Sequence, residues 1–363
     1  MPRLKVLFLL TAIFLFATTS VLAADFAVGT CKPKLQSFST ISDAVSTVPA
    51  GSTVEVCPGT YAEQVTISQP LTLEGVAIGN SEQVVITPPP GGLTLNASSN
   101  GEPLAVQLWV DNAPGPVNIS NLIVDGTGNA LVCNDGFAII GIYYQNSPGT
   151  VNRVTTRNQK TTSGPIACGL GIWIDGGDSN PTVTIENSSI HDVDTGGINT
   201  QFNFIANIKG NYVNVYPGAT GIAIGGGTNT VTDNIVETTA PPGTVTCLLA
   251  SGSSSVPTSG TVSGNTLINC GVAIDAAADG VAFTSNKVFN SEAGIYVFTL
   301  VAAMRSNSIT NSSIGIEFDC WPDPNVTDNT ITDAGTGIDQ VPMGLAAPNT
   351  YIDVTTIKTN GCP

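Results

Sequence analysis

The sequence predicts an all-β chain wound as a solenoid, and three observations point there. One short phrase recurs with a fixed period through the second half of the chain. Short runs of alternating apolar and polar residues fill the space between its copies. Helix-favouring charged residues are scarce: Asp, Glu, Lys and Arg make up 10% of the 363 residues, against roughly 25% in an average domain, which argues against an all-helical protein.

The phrase is a small residue, an apolar residue, then alternation. Ala273-Ile274-Asp275, Gly294-Ile295-Tyr296-Val297, Gly315-Ile316-Glu317-Phe318 and Gly337-Ile338-Asp339 follow one another at 21, 21 and 22 residues. Asn265, Asn286, Asn307 and Asn329 keep the same three spacings. Upstream the spacing loosens, with Gly221-Ile222, Gly197-Ile198, Gly171-Ile172 and Gly141-Ile142, and with Leu108 and Leu248 standing in at two turns. Runs such as Val117-Asn118-Ile119 and Val183-Thr184-Ile185 alternate and end at Gly, Asn, Asp or Pro, as strands do. Short strands at a period of 21–34 residues, with no helices between them, describe stacked turns. Adjacent turns are then about 4.8 Å apart. The asparagines are expected at the bends, in left-handed geometry, paired along the stack. Near the N-terminus, apolar positions 41, 44, 45 and 48 form one helical face, with Ser39 or Thr40 to start it. This short helix is expected to cover the open first turn.

Residues 1–24 read as a secretory signal: Arg3 and Lys5, an apolar run from Val6 to Ala17, and a small-residue site ending at Ala23. The remaining chain, 25–363, is expected to be one domain with end caps over 25–50 and 340–363, and no membrane span after cleavage. A secreted, periplasmic or cell-surface location follows, and with it disulfides. The eight cysteines invite a sequential pairing, Cys31–Cys57, Cys133–Cys168, Cys247–Cys270 and Cys320–Cys362, among 105 possible connectivities. Cleavage leaves 9 basic against 27 acidic residues, a net charge of −18. Such acidity argues against nucleic acid as a partner. A monomer with no cofactor and no dedicated metal site is expected. Asp192, Asp194, Asp275, Glu317, Asp319 and Asp339 offer oxygen donors for calcium, but no Asp-x-Asp-x-Asp-Gly loop gathers them.

The stretch Phe38–Gly75, FSTISDAVSTVPAGSTVEVCPGTYAEQVTISQPLTLEG, resembles the opening of right-handed parallel β-helix proteins of the pectin-lyase-like superfamily. The Gly-Ile and asparagine repeats resemble the turn repeats of that superfamily. The resemblance implies a right-handed parallel β-helix of about 10–12 turns with a short N-terminal capping helix. It implies little about activity, because this architecture hosts lyases, hydrolases, esterases, epimerases and adhesins. Signatures of the enzyme families are incomplete: Asn199-Thr200 is followed by Gln201 rather than aspartate, Trp173-Ile174-Asp175 by Gly176 rather than histidine, and Asp323-Pro324 by Asn325.

Alternation supplies candidate site residues. If Ile172 and Ile174 point inward, Trp173 and Asp175 point outward. Aligning four turns then sets Trp109, Tyr143, Trp173 and Asn199 in one outward column and Asp111, Gln145, Asp175 and Gln201 in the next. Exposed aromatics beside carboxylates and amides suit a polysaccharide, whose ring faces stack and whose hydroxyls donate and accept. Two readings stay open: a wet binding face, or rings covered by the loops 112–140 and 146–170. Asp111 and Asp175, two turns apart, are separated by roughly 10 Å, the upper end for an inverting carboxylate pair. Arg153, Arg157 and Lys160 fall in one stretch and could hold an acidic sugar or neutralise a developing carbanion. His191, beside Asp192, is either a base or a hydrogen-bonding turn residue. The functional expectation is polysaccharide binding along the 105–201 face. A lyase or glycoside hydrolase there is the first alternative, and a structural solenoid without a ligand the second.

Overall fold

A computed structural model describes residues 23–77, 83–133, 138–161, 167–177, 179–238, 245–252, 256–320, 325–340 and 348–359. The predicted signal segment therefore lies almost wholly outside the described residues, as does Cys362.

Three parallel sheets of 13, 12 and 13 strands run the length of the chain, each coil giving one strand to each sheet. The first sheet begins at Asp25–Val28, the second at Gly59–Ala62 and the third at Val65–Ile67. Among the described residues two strands depart from this order: Gln36–Phe38 adds to the edge of the first sheet beside Asp25–Val28, and Ala97–Ser99 pairs antiparallel with Glu102–Leu104 and folds a hairpin over the third sheet.

The Gly-Ile phrase is the inward corner of the third sheet. Ile142, Ile172, Ile198, Ile222, Leu248, Ile274, Ile295, Ile316 and Ile338 are register partners, each fully buried in one continuous core. The small residue before each is required by the neighbouring coil. A Cβ on Gly315 would lie 2.5 Å from the carbonyl oxygen of Gly337 and 2.8 Å from Ile331 Cγ2, inside any permitted contact. Where the phrase is absent, Gln107 fills the corner and satisfies its amide instead. It donates to the carbonyls of Ile86 at 2.8 Å and Asp125 at 3.1 Å, and accepts from Gln159 at 3.0 Å.

The asparagines form a buried ladder, with one correction to their expected backbone. Asn211, Asn234, Asn265, Asn286, Asn307 and Asn329 each donate a side-chain N–H to the next asparagine's Oδ1 at 2.9–3.0 Å. Each also donates to a first-sheet carbonyl of the preceding coil, as Asn286 does to Val262 at 3.0 Å. They are not the left-handed residues. The residue before each takes that role: Gly210, Asp233, Gly264, Ser285, Ser306 and Asp328 have positive φ. That bend turns the asparagine side chain into the core, where it meets the next asparagine and a backbone carbonyl.

The helix Ile41–Thr47 buries Ile41, Ala44 and Val45 against the core, and Thr40 accepts the N–H of Asp43 at its start. Glu63 adds two contacts at 2.9 Å from the N–H groups of Ile41 and Ser42. Disulfides join Cys31–Cys57, Cys133–Cys168 and Cys247–Cys270. Cys320 is also disulfide-bonded, and Cys362, its expected partner, lies outside the described residues. Among the described residues no helix is long and apolar enough to cross a membrane.

Candidate functional site

The third sheet places the two predicted columns in the aligned register. Trp109 pairs with Tyr143, Tyr143 with Trp173 and Trp173 with Asn199. Asp111, Gln145, Asp175 and Gln201 pair in the same order. The aromatic column is not an open platform, however. Tyr143 is 0% exposed, while Trp109 and Trp173 are half-buried around it. The antiparallel hairpin at 97–104 contributes Ala97 and Leu104 to the cover. Leu104, Val106, Ile140 and Leu170 complete a satellite cluster around Tyr143. The Tyr143 and Trp173 rings lie 5.3 Å apart, tilted by 39°. Trp109 Nε1 and Asn199 Oδ1, at opposite ends of the column, are buried without a hydrogen-bond partner among the described residues.

The hairpin also fixes the polar column. The Tyr143 hydroxyl donates to Asp175 Oδ2 at 2.9 Å, Ser99 Oγ donates to the same oxygen at 2.8 Å, and the N–H of Gly177 donates to Oδ1 at 3.2 Å. Burial, then the adjacent Asp175 carboxylate, push the Tyr143 phenol far above its ordinary range, so it acts as a fixed donor. Gln145 donates to the carbonyl of Ser98 at 2.9 Å. Asp111 accepts from Asn112 at 2.6 Å, and Asn112 in turn accepts from Asn146 at 2.9 Å.

Beside this column a trough follows the corner between the third and first sheets. Its first section, about 370 Å³, is lined by Ser99, Asn112, Gln145, Asn146, Asp175 and Phe202 among others. A second section of about 320 Å³ shares Phe202 and adds Gln201, Gly225, Gly226 and Ser251. A third of about 310 Å³ shares Gly252 and runs on to Asp279. Glycine makes the corner shallow: a Cβ on Gly226 would sit 2.6 Å from the Phe202 carbonyl oxygen, and one on Gly176 would sit 1.5 Å from that of Asn203. The sequence carries no chemical motif for this trough, only the glycines at 176–177 and 225–227 and the lone Gly252. A larger opening of about 730 Å³ lies at another corner, lined by Asn290, Glu292, Asn311 and Asp333. None of the predicted site residues lines it.

Arg153 and Arg157 do not join the columns. Arg153 is exposed at a left-handed bend (φ 53°), its N–H donating to the carbonyl of Glu186. Arg157 sits in the second sheet, bound through Nε to Asp125 at 2.7 Å. Burial alone would raise Asp125, but hydrogen bonds from Thr127, Asn158 and Arg157 outweigh it and hold the carboxyl below its usual range. The same sheet carries His191, whose Nδ1 meets Asp192 Oδ2 at 2.7 Å.

Together the three sheets, the stacked register and the inward corners define a parallel β-helix. A family model described as the right-handed β-helix region matches residues 213–344. Among solved structures the chain is similar to the GH136 lacto-N-biosidase of Eubacterium ramulus, with a TM-score of 0.60 and 12% identity over 92% of this chain and 68% of that one. It is also similar to the exopolygalacturonase of Thermotoga maritima, with a TM-score of 0.51 and 14% identity over 83% of this chain and 82% of that one. The catalytic domain of a GH87 α-1,3-glucanase in complex with nigerose gives a TM-score of 0.55 and 13% identity over 91% of this chain and 64% of that one. No curated protein matches the chain in sequence. At these identities the likeness is one of fold.

Proposed function

We propose that this is an exported β-helix that binds a polysaccharide along the trough beside the 105–201 face. The observation that carries the reading is the continuity of that trough: three sections joined at Phe202 and Gly252 and lined by amides, hydroxyls and the carboxylates of Asp175 and Asp279. A polymer needs an extended groove with many modest polar contacts rather than one deep pocket, and sugar hydroxyls pair equally well with amide donors and acceptors. Phe202 offers an apolar surface at the join, where a ring face can pack. Export accords with three disulfides and with the predicted signal. That the chain resembles enzymes acting on carbohydrates in fold supports the substrate class without assigning a reaction.

The hydrolase alternative rests on Asp111 and Asp175, which the register holds two coils apart, roughly 10 Å. Binding is the better reading because Asp175 already accepts three hydrogen bonds. A polysaccharide array coupled to reducing-end assays separates the two. Retention without new reducing ends is the expected outcome, and reducing ends lost in Asp175→Asn would replace binding with hydrolysis.

A further inference from the structure

The corner between the second and third sheets, in the C-terminal coils, gathers oxygen acceptors and few donors. Its opening of about 730 Å³ is lined by Asn290, Glu292, Asn311, Ser312 and Asp333 among others. A section of about 360 Å³ continues it, sharing Glu292 and reaching Glu317. None of these residues lines the polysaccharide trough, so the two grooves are independent.

The bend residues of this corner, Asn269, Asn290, Asn311 and Asp333, all take positive φ and follow one another coil by coil. Asn290 gives a side-chain N–H to Asn269 Oδ1, and Asn311 gives one to Asn290 Oδ1. The run stops there, because the next bend residue is Asp333 and an ionised carboxylate has no N–H to give. An acceptor is thus followed by an acceptor. Beneath this junction Ser312 is 4% exposed, lines the opening, and has no hydrogen-bond partner for its Oγ among the described residues. A buried hydroxyl in that state is costly and points to a group that completes it. Among the described residues no lysine or arginine forms an ion pair with Glu292, Glu317 or Asp333. Burial, and after it Asp339, Glu292 and Asp319, push the Glu317 carboxyl above its ordinary range. The groove carries negative charge that nothing in the described chain offsets.

Such a site needs a ligand that brings donors and positive charge together. A primary ammonium does both: it is a compact charge with three N–H donors and no acceptor. A metal ion fits less well, since no three His, Cys, Asp or Glu side chains among the described residues converge on one point. Glu292 and Asp333 lie two coils apart, roughly 10 Å along the stack, so one ammonium cannot serve both. An alkyl chain carrying two or more can. Val272 and Ile314, both half-buried, give its methylenes an apolar wall.

We propose that this groove binds a linear polyamine, with one ammonium among Asn311, Ser312 and Asp333 and another between Glu292 and Glu317. Isothermal titration of the full chain with spermidine at low ionic strength tests it. One site per chain is expected, weakened by added salt. Asp333→Asn and Glu292→Gln should each weaken binding roughly 1.5- to 5-fold. Ser312→Ala should weaken it roughly 2- to 10-fold while leaving the thermal midpoint of the free protein unchanged, because its Oγ holds no bond to lose. Asp233→Asn removes the same charge from an exposed bend at another corner and should leave binding unchanged. Hexamethonium, doubly charged but without N–H groups, should bind at least about tenfold more weakly than spermidine. No spermidine binding, equal binding of hexamethonium, or equal weakening by Asp233→Asn and Asp333→Asn would overturn the proposal. The last two outcomes would leave only the general attraction of an acidic chain for cations. Calcium bound more tightly than spermidine and lost in Asp333→Asn would likewise overturn it, replacing the amine with a metal.

Discussion

Replacing Asn286 by alanine tests the ladder that holds the coils in register. Its side chain makes four hydrogen bonds: to the carbonyl of Val262 and Oδ1 of Asn307, and from the N–H and Nδ2 of Asn265, all at 3.0–3.1 Å. Asn286 is 0% exposed, so water cannot replace any of them. Truncation leaves the buried N–H of Asn265 without its partner, at about 1–3 kcal/mol, and removes three further bonds at about 0.5–1.5 kcal/mol each. The expected loss is about 2.5–7.5 kcal/mol, concentrated in the coils around 262–307 because each coil touches only its neighbours. Urea unfolding measures the total, and amide exchange at Asn265 and Asn286 measures where it falls. Asn290→Gly is the control. Asn290 is exposed at φ 53°, its side chain bonds only the exposed amides of Asn269 and Asn311, and its backbone bond to Thr310 does not depend on the side chain, so glycine should stay within about 0.5 kcal/mol of wild type. An Asn286→Ala protein as stable as the Asn290→Gly protein, with unchanged exchange at Asn265, would refute the argument.

Three other outcomes follow from the same geometry. Gly315→Ala drives a Cβ to 2.5 Å from the Gly337 carbonyl oxygen, which should cost at least about 1–3 kcal/mol and show as early loss of the C-terminal coils in hydrogen exchange. Asp125, held below its unfolded value by its hydrogen-bonded partners, contributes stability present above the unfolded carboxylate pKa and lost as pH falls through the folded one. Asp125→Asn should therefore flatten the acid limb of a thermal-midpoint against pH curve below about pH 4. Removing the Cys247–Cys270 bridge as the double alanine variant frees a span of 23 residues and should lower stability by about 3 kcal/mol in urea titrations.

The periodic part of the fold was readable because one physical constraint acts at every coil. Only a small residue fits the third-sheet corner, and only a branched apolar side chain fills the core behind it, so Gly-Ile recurs. The ladder asparagines were visible for the same reason, yet their backbone was misassigned. The bend is made by the residue before, which varies among Gly, Asp and Ser and leaves no single-letter signature. The outward register of Trp109, Tyr143 and Trp173 followed from alternation alone. Their burial did not, because the covering hairpin at 97–104 is antiparallel and belongs to no period. Arg157 looked close to the column in sequence, but a coil turns through three faces within some thirty residues, so a dozen residues of separation moves a side chain to another sheet. The trough left still less trace, since what creates it is missing side chains at glycine corners.

The most direct test of the account fills the trough without touching the core. Ser251 lines its middle section at the outer end of a third-sheet strand, and Ser251→Trp should block a polymer lying there. Affinity electrophoresis through gels containing each polysaccharide retained in the array compares this variant with wild type, with thermal midpoints confirming that both are folded. The account predicts retention of the wild-type protein by at least one polysaccharide and its loss in Ser251→Trp. Retention that survives a filled trough, or none by any polysaccharide, would contradict it.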